Sequence, residues 1–402
     1  MGERGTIKNF FESYLDREML FLDKGALQIN YTPEDIPHRE DQIHEISRIL
    51  APALKLEKPS NMFLYGKTGT GKTLSVFNVI NSLSEVAKIK KIPLDILYVN
   101  CKLKNVADTE YRLLAHLARQ LGEEVPTTGL PKNEVHRRLF SKIDSKKRLV
   151  IFALDEIDQI VKKQGDEILY TLTRINQELE QSQICFLGIS NDLRFANDLD
   201  PRIKSALTEE ELNFPPYNAI QLKDILEQRS KIAFKENSLA AGVLEKCSAL
   251  AAREHGDARR ALDLLRVAGE MAEREEAKVI DITHIDKAEE KMNKDIVIDA
   301  IRTLPKQSQI TLLSIFNLFD KKEKFYTGDV SPAYQEICYK CGLKPLTHRR
   351  LSDLVEELSM LGIIRSKVIS KGRYGRKKEI LLNLPKSDLP KIRKMLEDWL
   401  NI

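Results

Sequence analysis

Through the first 200 residues, short unbroken apolar runs alternate with stretches in which apolar positions recur every three or four residues. The runs are Asn61–Tyr65, Leu94–Asn100, Arg148–Glu156 and Ile184–Asn191. Runs without polar alternation predict strands covered on both faces, the signature of a parallel sheet. Helical spacing lies between them: Val76, Val79, Ile80 and Leu83 within 74–86, then Tyr111, Leu113, Leu114, Leu117 and Leu121 within 108–121. A turn-rich break at 126–131 precedes a basic helix reaching Ile143. Upstream, the turn formers of Tyr31–Glu40 open a helix through about Leu54, and Phe10, Phe11, Tyr14, Leu15, Leu20 and Phe21 form an amphipathic stretch with no evident chemistry. Strand and helix in alternation predict an α/β fold.

The rhythm changes at Phe214-Pro215-Pro216-Tyr217, since two prolines cannot continue regular structure. Helical spacing alone fills about Ala219 to Asn293. From Ile301 onward, helical stretches at 306–318, 331–341 and 347–361 precede two alternating segments, 363–369 and 378–382. These flank Ser370-Lys371-Gly372-Arg373-Tyr374-Gly375-Arg376-Lys377, a basic, Gly-containing hairpin tip. Three helices and a hairpin describe a winged helix.

Two motifs put chemistry on the strand ends. Gly66-Lys67-Thr68-Gly69-Thr70-Gly71-Lys72-Thr73 fits the phosphate-binding loop, and it stands between a strand and a helix as that loop requires. Glycines at 66, 69 and 71 keep the backbone free to wrap phosphates, together with the backbone of Thr68 and Thr70. Lys72 is then expected on the β/γ-phosphates and the Thr73 hydroxyl on Mg²⁺. Asp155 and Glu156 close the Arg148–Glu156 run, where open α/β sheets place their ligands. Asp155 is expected to hold Mg²⁺ and Glu156 to orient and deprotonate an attacking water. Asn191 ends the next strand at the same edge, where its amide can hold the water or the γ-phosphate, although strands often end in Asn. Arg202 is either a finger for a neighbouring subunit's γ-phosphate or a surface arginine. Gly256-Asp257-Ala258-Arg259-Arg260 starts a helix with two arginines, either of which can close onto a phosphate.

Charge separates the tail from the body. Residues 301–402 carry 20 Lys/Arg against 11 Asp/Glu, a balance of +9, which leaves 44 against 49, or −5, for residues 1–300. A basic tail on a slightly acidic body points to a polyanion partner. Thr347, His348, Arg349 and Arg350 open the expected recognition helix, and Lys371, Gly372, Arg373, Tyr374 and Arg376 form the wing. Together they are expected to read or grip duplex DNA. Five scattered cysteines fit a reducing compartment, and Cys338 and Cys341 read as small apolar residues on one helix. No apolar run is long enough to span a bilayer, so no membrane partner is expected.

With these residues in hand, the chain resembles the archaeal-type replication initiators of the AAA+ class, relatives of eukaryotic origin-recognition subunits and of the cell-division-cycle helicase loader. The matching pieces are Pro37-His38-Arg39-Glu40, the phosphate loop at 66–73, the carboxylate strand at 151–156, Asn191, Phe214-Pro215-Pro216-Tyr217, Gly256-Asp257-Ala258-Arg259 and the winged tail. The resemblance implies a P-loop AAA+ parallel-sheet domain at 1–213, a helical lid at 214–295 and a winged-helix domain at 296–402. It implies ATP/ADP and Mg²⁺ as ligands, Pro37–Glu40 passing the adenine, and Tyr217, Arg229 and Arg259 contacting the nucleotide. It also implies a second DNA contact from about Pro126 to Arg138. Its members bind double-stranded origin DNA and help recruit the replicative helicase, sometimes beside paralogous subunits, in the cytoplasm at the nucleoid. A nucleotide-switched transcription regulator carries the same modules, and a clamp-loader-like motor is disfavoured by the winged tail.

Overall fold

Four of the five sheet strands are the predicted apolar runs: β1 (Met62–Tyr65), β2 (Leu94–Asn100), β3 (Leu149–Asp155) and β4 (Gln183–Ser190). In the computed structural model they form a parallel sheet in the order β2-β3-β4-β1-β5. The structure describes residues 19–103, 109–207, 209–319, 325–370, 376–384, 388–400 and 402. Much of the predicted N-terminal amphipathic stretch, including Phe10, Phe11, Tyr14 and Leu15, lies outside them. The interior strand β3 is buried along its whole length. The helix α1 (Glu40–Leu50) precedes the sheet, and the crossover helices are α2 (Lys72–Ile89), α3 (Glu110–Gln120), α4 (Lys132–Ile143), α5 (Ile157–Gln164) and α6 (Glu167–Arg174). Two further helical segments, Phe195–Asp198 and Pro201–Leu207, lead to the edge of the sheet.

That edge is β5 (Glu210–Asn213), which sequence patterning does not predict. Its four residues, Glu-Glu-Leu-Asn, are too short and too polar to read as a strand, because an edge strand is exposed on one side and needs no apolar run. Its register matters to the site. Tyr65 pairs with Asn213, and the Phe214 amide donates to the Tyr65 carbonyl at 2.8 Å, so Phe214–Tyr217 starts directly beside the phosphate loop. The helix expected to reach Leu54 ends at Leu50, and Pro52 then opens a 3₁₀ turn over Ala51–Lys55.

The helical segment after the prolines comprises α7 (Ala219–Ala233), α8 (Val243–Arg253) and α9 (Ala258–Arg274), followed by α10 (Ile282–Thr303). Asn218 and Gln221 cap α7 reciprocally. The chain divides into two compact units, Met1–Ala288 and Glu289–Ile402, so residues 214–288 pack with the sheet rather than apart from it. Residues 20–24 are tied to the same helices. The Leu22 amide donates to the Ala233 carbonyl at 2.8 Å, Phe21 and Phe234 lie 4.5 Å apart, and the Leu20 amide donates to Glu273 Oε1 at 3.0 Å.

The second unit carries α11 (Lys306–Phe319), α12 (Thr327–Lys340), α13 (His348–Met360), and the hairpin β6 (Ile364–Ser370) and β7 (Arg376–Leu382), antiparallel with Ile364 opposite Leu382. A helix that patterning missed, α14 (Leu389–Leu400), completes it and buries Ile392, Leu396 and Leu400. Phe316, Phe325, Tyr334, Leu358 and Ile380 form the centre of this unit's own core. Cys338 belongs to that core as well, while Cys341 packs against it. Among the described residues, no helix is long and apolar enough to cross a membrane.

Candidate functional site

The phosphate loop joins β1 to α2. Gly69 and Gly71 take φ of +72° and +87°, a region that side chains disfavour, and both are crowded. A Cβ on Gly69 would stand 1.7 Å from Asp257 Oδ1, and one on Gly71 would stand 2.7 Å from the Tyr217 hydroxyl. Gly71 N-caps α2 without a side chain, so the first amides of the helix keep the positive end free for an anion.

Lys72 is only 4 % exposed. Its Nζ donates to the carbonyls of Gly66 and Lys67 at 2.7 and 2.8 Å. Burial pushes this ammonium down to about 8, and the charge of Arg259 acts in the same direction against that of Asp155, Asp158 and Glu156. The Thr73 hydroxyl donates to Asp155 Oδ2 at 2.9 Å, the Tyr98 hydroxyl donates to the same oxygen at 2.8 Å, and the Glu156 amide donates to Asp155 Oδ1 at 2.8 Å. The two metal ligands expected from sequence are therefore in contact, one from the first turn of α2 and the other from the end of β3. Burial, reinforced by the Asp155 charge, pushes the Tyr98 phenol upward and keeps it a donor. Glu156 has φ +52° and stands at the start of α5 with Lys102 Nζ 3.6 Å from its carboxylate. Positive φ at a non-glycine residue carries backbone strain, here at a residue that lines a cavity.

One cavity of about 390 Å³ collects these groups. Gly69–Thr73, Tyr98, Asp155, Glu156 and Asn191 line it from the sheet side; Tyr217, Arg229 and Arg259 line it from the helical side. Leu27–Pro33 and Asp35–Pro37 supply a third wall, a segment that sequence reasoning read mainly as a turn-rich helix entry. Of the expected residues, Gly66 and Thr68 belong to the loop without lining the cavity.

The two arginines that start α9 part company. Asp257 accepts from the amides of Arg259 and Arg260, fixing the first turn, and the Ala258 amide donates to the Gly69 carbonyl at 3.2 Å. Arg259 lines the cavity, whereas Arg260 Nε donates to Glu254 at 2.9 Å. Arg229 is 7 % exposed, its guanidinium lies 3.9 Å from the Tyr31 ring centroid, and its Nη1 has no hydrogen-bond partner. Burial lowers its pKa from the ordinary arginine value. A buried cationic donor left without an acceptor is costly and calls for an anion. That orphan, the Lys72 ammonium turned onto its own loop's carbonyls, and the Thr73–Asp155 pair fit a nucleotide phosphate with a hard divalent cation.

Pro37 lines the cavity, but Arg39 is buried beside the loop at 2 % exposure. Sequence gave no sign of this, since an arginine opening a helix ordinarily faces water. Arg202 is on the surface beside Asp200, 3.1 Å away, with 77 % of its side chain exposed, and does not line its own chain's cavity.

On the second unit, Thr347 Oγ1 accepts from the Arg350 amide at 3.4 Å and caps α13. Leu351, Leu354, Val355 and Leu358 anchor the helix, leaving His348, Arg349 and Arg350 exposed. Arg350 lies 3.7 Å from Asp353 and 3.8 Å from Glu357, and Lys378 pairs with Glu356 at 3.0 Å. The cationic face is therefore confined to the first turn, with carboxylates beyond it. Lys371, Gly372, Arg373 and Tyr374 lie outside the described residues, and Arg376 is placed only as the first residue of β7.

Comparison with known proteins matches three parts of the chain to described families. Residues 56–195 match the family described as AAA domain, 223–290 the Cdc6 AAA+ ATPase-type lid domain, and 299–391 the CDC6 C-terminal winged helix domain. The ORC1-type DNA replication protein of Thermococcus onnurineus is 51 % identical over 383 residues, 94 % of this chain and 92 % of that protein. This chain belongs to the ORC1-type DNA replication protein family. The Archaeoglobus fulgidus ORC1-type DNA replication protein 1 is 48 % identical over 390 residues, covering 97 % of this chain and 94 % of the relative. A solved structure of the Aeropyrum pernix ORC1 protein in complex with DNA superposes with a TM-score of 0.79 at 42 % identity, covering 94 % of this chain and 98 % of that one. The fold is thus an AAA+ parallel-sheet domain with a helical lid and a C-terminal winged helix, and the family's AAA+ sheet is a nucleotide-binding architecture.

Proposed function

We propose that the protein is an ATP-controlled replication initiator that binds double-stranded origin DNA. The observation that carries this is that lid arginines Arg229 and Arg259 line the same cavity as the phosphate loop, Asp155 and Glu156. A bound nucleotide bridges sheet and lid there, so its phosphates set the lid's position. The second unit supplies the DNA-binding element, and the similar Aeropyrum protein was solved in complex with DNA.

Lys72 turns from the Gly66 and Lys67 carbonyls to the β/γ-phosphates, the amides of Gly69–Thr73 cradle them, and Arg229 and Arg259 neutralise them from the lid. Thr73 and Asp155 hold Mg²⁺, which supplies charge neutralisation at the phosphates. Glu156 accepts the proton of the attacking water, whose position Asn191 fixes through its amide. Hydrolysis is slow and acts as a switch, with ADP release from under the lid limiting turnover. Arg202, exposed and outside its own cavity, serves a neighbouring subunit's γ-phosphate in an assembly with paralogous initiator subunits. DNA contact comes from His348, Arg349 and Arg350 and from the wing residues Lys371–Tyr374 and Arg376, with the replicative helicase as the partner recruited at the nucleoid.

Footprinting on genomic DNA with ATP and ADP, using wild type and an Arg373→Ala/Arg376→Ala variant, tests the reading. Protection at one or a few intergenic loci, weakened in the variant, is expected. Protection scattered over many promoters establishes a transcription regulator instead, and no specific protection removes the DNA-binding role.

A further inference from the structure

The buried arginine beside the phosphate loop has three backbone carbonyls for acceptors. Arg39 Nε donates to Thr70 at 2.8 Å, Nη1 to His38 at 2.8 Å, and Nη2 to Pro215 at 2.6 Å. Its guanidinium carbon lies 3.9 Å from the Tyr217 ring centroid and 5.7 Å from that of Phe214. A Cβ on Gly71 would stand 3.7 Å from Arg39 Nε, which puts the cation directly against the loop backbone, although Arg39 does not itself line the cavity. Three pieces of chain remote in sequence thus end on one planar fork: the entry to α1, the phosphate loop, and the strand-to-lid connection. Tyr217 extends the path, because its amide donates to the Gly256 carbonyl at 3.3 Å and Gly256 immediately precedes the Asp257–Arg259 turn.

We infer that Arg39 is a positioning residue for phosphate recognition, fixing the curvature of the loop at Thr70 and its distance from the lid arginines at the same time. The inference rests on the nucleotide reading above. A guanidinium is the one side chain that offers several donors at fixed angles in a plane that also stacks on an aromatic face. An ammonium keeps the charge and loses that geometry. Polarising the Thr70 carbonyl also aligns the adjoining peptide, so that the amides on the cavity side meet an anion pre-oriented. Arg39 does not itself line the cavity and meets the loop at Thr70, so its effect is passed to the phosphates through the loop backbone.

The test compares ADP and adenosine binding to the full chain, by calorimetry and ligand-observed NMR, for wild type, Arg39→Met and Arg39→Lys. The nucleotide-free melting temperature is recorded for each. ADP affinity is expected to fall at least about tenfold in Arg39→Met while adenosine changes by less than about twofold, and Arg39→Lys is expected not to restore ADP binding. Equal losses for ADP and adenosine would show general collapse of the pocket and overturn the inference. So would unchanged ADP affinity in either folded variant, or full recovery with lysine, which would mean that charge alone matters. If Arg39→Met does not fold, Arg39→Lys carries the same comparison. Failure of wild type to bind ADP would remove the nucleotide reading itself.

Discussion

The two regions that carry this protein's chemistry use charge in opposite ways. In the cavity of the first unit, Lys72, Asp155 and Arg229 are each less than a tenth exposed. Lys72 is held by its own loop's carbonyls, Asp155 by Thr73 and Tyr98, and Arg229 lies against the Tyr31 ring. On the second unit, His348, Arg349 and Arg350 stand in solvent on a helix whose other face is packed on an independent core. Buried charges act strongly and one at a time, because low dielectric magnifies each and an orphaned partner is penalised. Exposed charges act weakly, together and under salt, because water and counterions screen each. On the proposed reading, phosphate is the common ligand chemistry. The depth at which it is met decides how the protein responds to loss of a single side chain.

The largest effect belongs to the cavity. Lys72→Ala is expected to abolish calorimetrically detectable ADP and ATP binding, a loss of roughly a thousandfold or more, and retention of affinity within tenfold would break the contrast. Glu156→Gln is expected to keep ATP affinity within about twofold while single-turnover hydrolysis slows about 10²- to 10⁴-fold. Normal turnover would exclude Glu156 as the base. Arg259→Ala should weaken ATP binding about tenfold, whereas Arg260→Ala should leave it unchanged and cost at most about 1 kcal/mol of stability through its lost pair with Glu254. Reversal of that order in paired titrations would reassign the lid arginine. The smallest single-site effects are expected on the second unit. Arg349→Ala and Arg350→Ala should each reduce DNA affinity a few-fold and lower the log–log salt slope by about one, with nucleotide binding untouched. A hundredfold loss from either, insensitive to salt, would place that arginine in a desolvated contact and erase the difference between the regions.

The cavity's sheet side was legible because phosphate binding imposes a contiguous requirement: glycines, a lysine and a hydroxyl on successive residues between a strand and a helix. The carboxylates at 155 and 156 were legible because the preceding run is apolar throughout, which marks a central strand and so its C-terminal edge. The winged helix was legible from its alternating hairpin. Its closing helix, α14, was not, although Ile392, Leu396 and Leu400 carry helical spacing. β5 escaped for the opposite reason, since an exposed edge strand leaves no pattern. The choice between Arg259 and Arg260 depended on one helical step of about 100°, which adjacent residues of equal charge do not reveal.

Sequence by itself determined the order of modules, the phosphate loop, the paired carboxylates and the sign of charge on the tail, because each is fixed by residues close together in the chain. Tertiary structure alone decided that Leu27–Pro33 walls the cavity, that Tyr98 and Thr73 share one oxygen of Asp155, and that Arg39 ties Thr70 to Pro215. These contacts join segments separated by tens to hundreds of residues. Their partners are often backbone carbonyls, which carry no identity in the sequence. A local pattern reports what a residue can do, and only the folded sheet, with β5 laid against β1, determines which atom it meets.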